Sequence, residues 1–486
     1  MKSGGVVGRL GAPRVAGVGA ALVVLVYLAV ATYAALTLPF EGTADAKDHL
    51  DYVYQVSIGQ LPAPEGHPLF PDVSGRQFAS AHPPLYYALM ALLVGGMLPE
   101  HVAEATAVVR LVNIVLGAAT IVVVAWFGHL LGGRYRGPLA VGMAAIAASS
   151  FTMIRFGAEV YNDMLLALLS SLALALTAHL ILRRPSWWAG VAIVVVAALG
   201  LGTKSSFIVP LAVCVAALGI TGLRYIRTRA WRTMWAYGAI AVLMLVGAIV
   251  VNAWFYAFNY ERSGDWYRSS PKAPLLGRRH RSTVEVLLDP EFWLLIARGY
   301  VGRGLPERFS HIGTIIVVAL AAVTVAVVVV LLLRRYLRLD ANHVTLVAML
   351  ALQLAGTYAT QLSHASGYGA LNFRYFMPAV IAVSLLLAFG CVALGRWGVA
   401  ALVAASLMLG ALNALTCTYY AMHMLDIPKF SPGIPLLIAM RNGLGQEPVV
   451  AAVAVAAIAG IALLALTPWL KSAPRVPAHV PTTNQE

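Results

Sequence analysis

Long apolar stretches separated by short polar loops fill this chain from end to end. Each run of roughly 20 apolar residues matches the length a helix needs to cross the hydrocarbon core of a bilayer. Such runs occur at about 15–38, 103–131, 138–157, 164–182, 187–202, 206–223, 235–256, 311–333, 344–362, 375–394, 398–420 and 449–468. The pattern predicts an all-α integral membrane protein of about twelve transmembrane helices, because lipid gives open backbone groups no hydrogen-bond partners. Residues 84–98 are also apolar but only fifteen long, bounded by Pro83-Pro84 and Pro99, and are assigned to a short helix at the outer interface.

The loops set the orientation. With the N-terminus in the cytoplasm, the basic clusters Arg134/Arg136, Arg183/Arg184, Arg224/Arg227/Arg229/Arg232, Arg334/Arg335/Arg338 and Lys471/Arg475 all fall inside, as the positive-inside rule requires. Counting 84–98 as a span would reverse every later loop. Eighteen of the twenty acidic residues, all but Asp340 and Glu486, then lie on the extracytoplasmic side. Lys2, Arg9 and Arg14 precede an apolar run from Val15 to Leu38, longer than the ~7–15-residue core of a signal peptide. It is read as a retained first span, with Ala29 and Ala31 marking the cleavage-site alternative. The expected protein is a multi-pass component of the cell membrane with both termini cytoplasmic.

Composition supports this. Of 486 residues, 60% are hydrophobic and 11% charged, with a mean hydropathy of +0.80, whereas soluble domains carry roughly 25% charged residues. The net charge of +14 is accounted for by cytoplasmic loops against anionic lipid, so nucleic acid is not an expected partner. Cys214, Cys391 and Cys417 lie in apolar stretches without metal-ligand spacing, and read as packing residues. The expected organisation is a cytoplasmic tail at 1–14, a transmembrane module at 15–395 with outer loops 39–102 and 257–310, C-terminal helices at 396–470 and a disordered cytoplasmic tail at 471–486. A smaller structured loop is expected at 421–448. Neither a fixed-period repeat nor a transporter-like pair of broken helices is evident.

The candidate chemistry lies on the acidic face. After the first span comes Asp45-Ala46-Lys47-Asp48-His49-Leu50-Asp51-Tyr52; as a helix it would place Asp45, His49 and Tyr52 on one side, although Asp45 also suits a plain helix cap. Glu159 and Asp163 fall in a short outer loop, where Asp163 has the same alternative. Lys204 sits in a hinge, Gly200-Leu201-Gly202-Thr203-Lys204, on the side where loop lysines are scarce, placed for an anionic headgroup. Arg374 opens the tenth span, and Arg110 and Arg155 lie near outer helix ends, where guanidinium groups can hold phosphate oxygens. His82-Pro83-Pro84-Leu85-Tyr86-Tyr87 closes the first loop with a rigid turn into an aromatic helix. The run Arg278-Arg279-His280-Arg281 reads as a solvated or lipid-facing patch. His49, His67, His82 and His101 match no metal-ligand spacing.

In this order, outer Asp with His four residues on, Pro-Pro-Leu-Tyr-Tyr, Asn-Asp before a span, the Gly200-Leu201-Gly202-Thr203-Lys204 hinge and Arg-Tyr-x-x-Pro at a span start, the chain resembles the GT-C class of membrane glycosyltransferases across roughly residues 15–395. That class includes protein O-mannosyltransferases and lipid A aminoarabinose transferases. The resemblance implies a GT-C-like fold and an acidic residue of the first outer loop, here Asp45, as general base or acceptor organiser. The family motif is commonly Asp-Glu; Ala46 stands in place of the Glu, so Asp48 and Glu41 remain alternatives, and His82 stands where many relatives have Lys.

The expected function is inverting transfer of a sugar from a polyprenyl-phosphate donor to a glycan, lipid or protein hydroxyl at the extracytoplasmic face. Asp45, Asp48 and His49 are the catalytic candidates. Lys204, Arg374, Arg110 and Arg155 are the phosphate candidates, and Glu159, Asp163, His82 and Tyr86 those for acceptor or sugar. No cofactor is required, and a divalent cation on Asp45 and Asp163 is compatible with the scheme. No nucleotide loop is present. The alternatives are a transporter or flippase for a lipid-linked or anionic solute, and a non-catalytic partner in an envelope glycan complex.

Overall fold

The computed structural model describes residues 12–40, 45–73, 75–266, 277–302, 306–334, 339–428, 430–431, 433–441 and 446–470. Glu41, Arg335, Arg338 and the tail 471–486 fall outside the described residues. The regular elements among the described residues are helices: α1 Ala12–Thr37, α2 Ala46–Ser57, α3 Leu85–Val94, α4 Val102–Leu131, α5 Arg136–Ala148, α6 Phe151–Gly157, α7 Asp163–Arg183, α8 Trp187–Thr203, α9 Ile208–Arg227, α10 Trp231–Ser263, α11 Thr283–Leu287, α12 Pro290–Trp293, α13 Leu295–Val301, α14 Glu307–Leu333, α15 Ala341–Tyr368, α16 Val380–Ala393, α17 Arg396–Met424, α18 Ile434–Arg441 and α19 Glu447–Leu466.

Among the described residues, ten helices are long and apolar enough to span a membrane, or eleven if the bent pair α5/α6 counts as one span. The remaining expected segment, 187–202, forms α8, seventeen residues long; at 1.5 Å per residue it covers about 25 Å, short of a typical hydrocarbon core. Residues 84–98 form the short α3 and a 3-10 turn, Gly95–Met97, in keeping with the sequence reading. The loop at 421–448 contains α18.

The centre of the bundle brings α1, α4, α5, α7, α16 and α17 together. The axis bends by 60° between α5 and α6, where Ser150 adopts extended backbone angles. A break inside a membrane bundle needs partners for the carbonyls it frees. Asn413 of α17 supplies one, its amide nitrogen lying 2.8 Å from the Ser149 carbonyl oxygen at the break and 2.8 Å from the Tyr300 carbonyl oxygen of α13. Close packing fixes α1 here too. Its Tyr27 hydroxyl donates to the Met153 carbonyl at 3.1 Å, and a Cβ on Gly117 or Gly157 would collide with that hydroxyl.

α7 sets the scale. Its 21 residues span about 30 Å, one hydrocarbon thickness. Near its C-terminal end the Leu180 and Ile181 carbonyls accept from Tyr237 and Asn342, and Arg224 reaches Ala341 and Thr345 beside Asn342. The opposite end begins at Asp163. The basic ends of α7 and α9 thus lie a bilayer thickness from the acidic start of α7.

Replacing Asn413 by Leu keeps the branching at Cγ but strands the Ser149 carbonyl at the bend and the Tyr300 carbonyl of α13. The expected cost is about 1–3 kcal/mol, read as a lower thermal-unfolding midpoint in detergent; an unchanged midpoint would contradict the bridging role.

Candidate active site

Four chain segments meet where α2, α7 and α8 present their ends. Asp45 directly precedes α2; its N–H donates to the Tyr161 hydroxyl at 3.3 Å, and its Oδ2 accepts from Arg374 Nη1 at 3.0 Å. Arg374 lies in the 3-10 segment Phe373–Ala379, where Asn372 Oδ1 accepts its backbone N–H. Asp163, the first residue of α7, takes the Lys204 ammonium on Oδ1 at 2.7 Å. Asn162 ties these two segments by donating to the Thr203 carbonyl at 3.2 Å.

The two ion pairs form one cluster. The Arg374 guanidinium lies 5.5 Å from the Tyr161 ring centroid, and the Lys204 ammonium 6.0 Å from that of Tyr375. Asp163 and Lys204 are 3% and 5% exposed, whereas Asp45 is 28% exposed, so Asp45 is the member open to an incoming group. Asp163 Oδ2 and Arg374 Nε have no hydrogen-bond partner among the described residues. Buried ions of this kind cost several kcal/mol unless well matched, and each unpartnered atom is a point where a polar ligand would improve the match.

Imidazoles back the cluster. His49 is buried, its Nδ1 2.8 Å from the Tyr87 hydroxyl and its ring 4.7 Å from that of Tyr161. His82 stacks on it at 5.9 Å. Burial, followed by the charges of Lys204 and Arg374, holds both imidazoles well below the usual histidine range. Both are therefore neutral at pH 7, and His49 is placed to orient Tyr161 and Tyr87 rather than to carry charge.

The remaining candidates go elsewhere. Asp48 faces the first loop, accepting from His67 Nε2 at 3.0 Å and the Phe78 N–H at 2.9 Å, while burial pushes its carboxyl up to about 6. Asp51 adds bonds to Leu69, Gln55 and Gln77. These carboxylates brace loop 39–102, and the catalytic assignment of Asp48 is corrected to that scaffold role. Tyr86 is likewise corrected from the sugar-contact set: it is fully buried, with its hydroxyl on Asn113 at 3.2 Å. Glu159 pairs with Arg155 at 3.0 Å, and Arg155 also covers the Tyr420 ring at 4.5 Å. Arg110 donates to the Ala35 carbonyl at 3.0 Å. Arg110 and Arg155 thus serve a second polar group around Glu159, not the Lys204 pair. Asn113, which donates to the Glu159 and Tyr161 carbonyls at 2.7 and 3.1 Å, and Tyr161 itself were not selected from sequence; an Asn in an apolar span was the available signal for the first. Among the described residues no three His, Cys, Asp or Glu converge as a metal-ion group.

This geometry sits on a known fold. The apo crystal structure of ArnT from Cupriavidus metallidurans superposes with a TM-score of 0.50 at 15% identity, covering 91% of this chain and 75% of that one. The chain has the GT-C fold. ArnT bound to undecaprenyl phosphate gives a TM-score of 0.47 at 16% identity over 92% and 77% of the two chains. The oligosaccharyltransferase of Archaeoglobus fulgidus with Zn and sulfate gives 0.43 at 13% identity over 80% and 53%. By sequence, no family model and no curated protein matches the chain.

The depressed imidazoles have a stability consequence. Unfolded histidine takes up a proton near pH 6.5, while folded His49 and His82 resist it, so their effect favours the fold above about 6.5 and is lost as pH falls below that. Asp48 has the opposite sign: its raised carboxyl favours the fold at low pH and loses that effect as pH rises through about 6. The difference between wild type and His82→Gln isolates the imidazole: the thermal midpoint of wild type should fall more steeply from pH 7 to 5. Parallel slopes would refute the assignment.

Proposed function

We propose that the chain is a membrane glycosyltransferase that moves a sugar from a polyprenyl-phosphate donor to an acceptor hydroxyl at the extracytoplasmic face. The observation that carries this reading is the meeting of Asp45–Arg374 and Asp163–Lys204 in one cluster at the acidic ends of the bundle. The GT-C fold supports the same class, and the lipid phosphate has a precedent in the ligand of the ArnT crystal structure.

In this scheme Lys204 and the unpartnered Nε of Arg374 hold the donor phosphate, while the polyprenyl tail runs between helices in the lipid. Asp45, the exposed carboxylate, takes the proton of the acceptor hydroxyl as its oxygen attacks the anomeric carbon. The sugar–phosphate bond breaks in the same step and the configuration inverts. Negative charge develops on the departing phosphate, where the two fixed cations stabilise it. Asp163 keeps Lys204 charged and directed, and His49 and His82 support the wall as neutral groups. The displacement balances without a cofactor, and a divalent cation between Asp45 and Asp163 is not needed for it.

Asp45→Asn keeps the shape and removes the base. Transfer from a purified polyprenyl-phosphate sugar should fall about 100-fold to 10,000-fold with little change in donor binding; wild-type turnover would exclude Asp45 as base. Lys204→Ala should instead raise the donor KM, by about 10-fold to 100-fold for the loss of a charged hydrogen bond. An unchanged donor KM in a variant that still folds would remove Lys204 from the phosphate site.

A further inference from the structure

A line of rings and charges runs away from Lys204. Its ammonium lies 6.0 Å from the Tyr375 ring, and that ring lies 4.7 Å from the imidazole of His364, with hydroxyl and Nδ1 3.2 Å apart. His364 stacks on Tyr368 at 4.7 Å and 23°, and the Arg278 guanidinium lies 4.4 Å from the Tyr368 ring. His364 is on α15, and one turn earlier the same helix grips the segment that carries Arg374. With its amide oriented to satisfy both bonds, Gln361 donates to the Asn372 carbonyl at 2.8 Å and accepts the Asn372 N–H at 2.9 Å. Helix, stack and Tyr375 together fix the imidazole beside the cluster.

One atom of that imidazole is left over. His364 Nε2 is buried and has no hydrogen-bond partner among the described residues, a condition that costs about 1–3 kcal/mol. The charged groups that act on the ring are Arg374, Lys204 and Arg278, all cations. Tyr375 has a hydroxyl hydrogen to donate; giving it to Nδ1 places the ring hydrogen on Nε2. An N–H donor held rigid among three cations is matched by an anion and by neither a cation nor an apolar group.

We propose that His364 binds the phosphate of the lipid-linked donor through Nε2–H, as a third donor beside Lys204 and Arg374, with Tyr375 and Gln361 as its positioning residues. The inference rests on the donor assignment made under the proposed function. It adds a phosphate contact from α15, a helix that otherwise contributes no charged side chain to the site, and makes the turn at Asn372 the piece that couples α15 to Arg374.

The test uses the purified full chain in detergent with undecaprenyl phosphate as probe and undecaprenol, which has the same tail without the anion, as control. Wild type should bind the phosphate more tightly than the alcohol. His364→Asn should weaken phosphate binding about tenfold and leave alcohol binding unchanged. His364→Gln, whose amide nitrogen reaches the Nε2 position, should recover most of the loss. The proposal is overturned if His364→Asn binds the phosphate as wild type does, or loses phosphate and alcohol alike. With wild-type preference for the phosphate intact, that result leaves the donor assignment standing; if wild type shows no preference, the donor assignment fails and this inference with it.

Discussion

The site depends on holding one buried and one half-buried ion pair at the ends of membrane helices. A lone charge there would carry several kcal/mol of desolvation cost, so each of Asp45, Arg374, Asp163 and Lys204 requires its partner within hydrogen-bond reach. This requirement pins the first loop to the turn before α16 across a separation of 329 residues, and the start of α7 to the end of α8 across 41. The surrounding architecture follows from holding those four ends at one level. Asn162, Asn372 and Gln361 close the backbone groups beside the charges.

The first loop is the second structural commitment. Asp48 looks from sequence like a further catalytic carboxylate, yet it and Asp51 work as brackets whose acceptors are filled by His67, Phe78, Leu69, Gln55 and Gln77. They hold the loop over α2, and Tyr52 stacks on Tyr87 at 3.7 Å to seat α3 against it. The braced loop keeps Asp45 in place, and Asp45 is the most exposed of the four charges.

The candidate site was partly legible. Asp45, Asp163, Lys204 and Arg374 stand out because a charge at the outer end of an apolar span is costly and must have a reason, and the folded chain brings all four together. Arg110 and Arg155 satisfied the same test but answer to Ala35 and Glu159 instead. The test detects that a charge needs a partner; it does not say which. Tyr161, Tyr375 and His364 escaped notice because aromatic residues near span ends are expected as interface anchors, and their position against the cluster depends on how α15 and the turn at Phe373 pack.

The one-dimensional pattern was sufficient for what lipid imposes on any segment independently: helices of bilayer length, a short apolar segment at 84–98, a separate acidic face and few charges between. Each of those follows from transfer of residues between water and hydrocarbon, a property local to the segment. Partner choice among the charges, the bend between α5 and α6 that Asn413 bridges, and which acids bond within the first loop and which meet Arg374 and Lys204 were settled only by the packed bundle. Those depend on distances of a few ångströms between residues far apart in the chain, and no local preference encodes such distances.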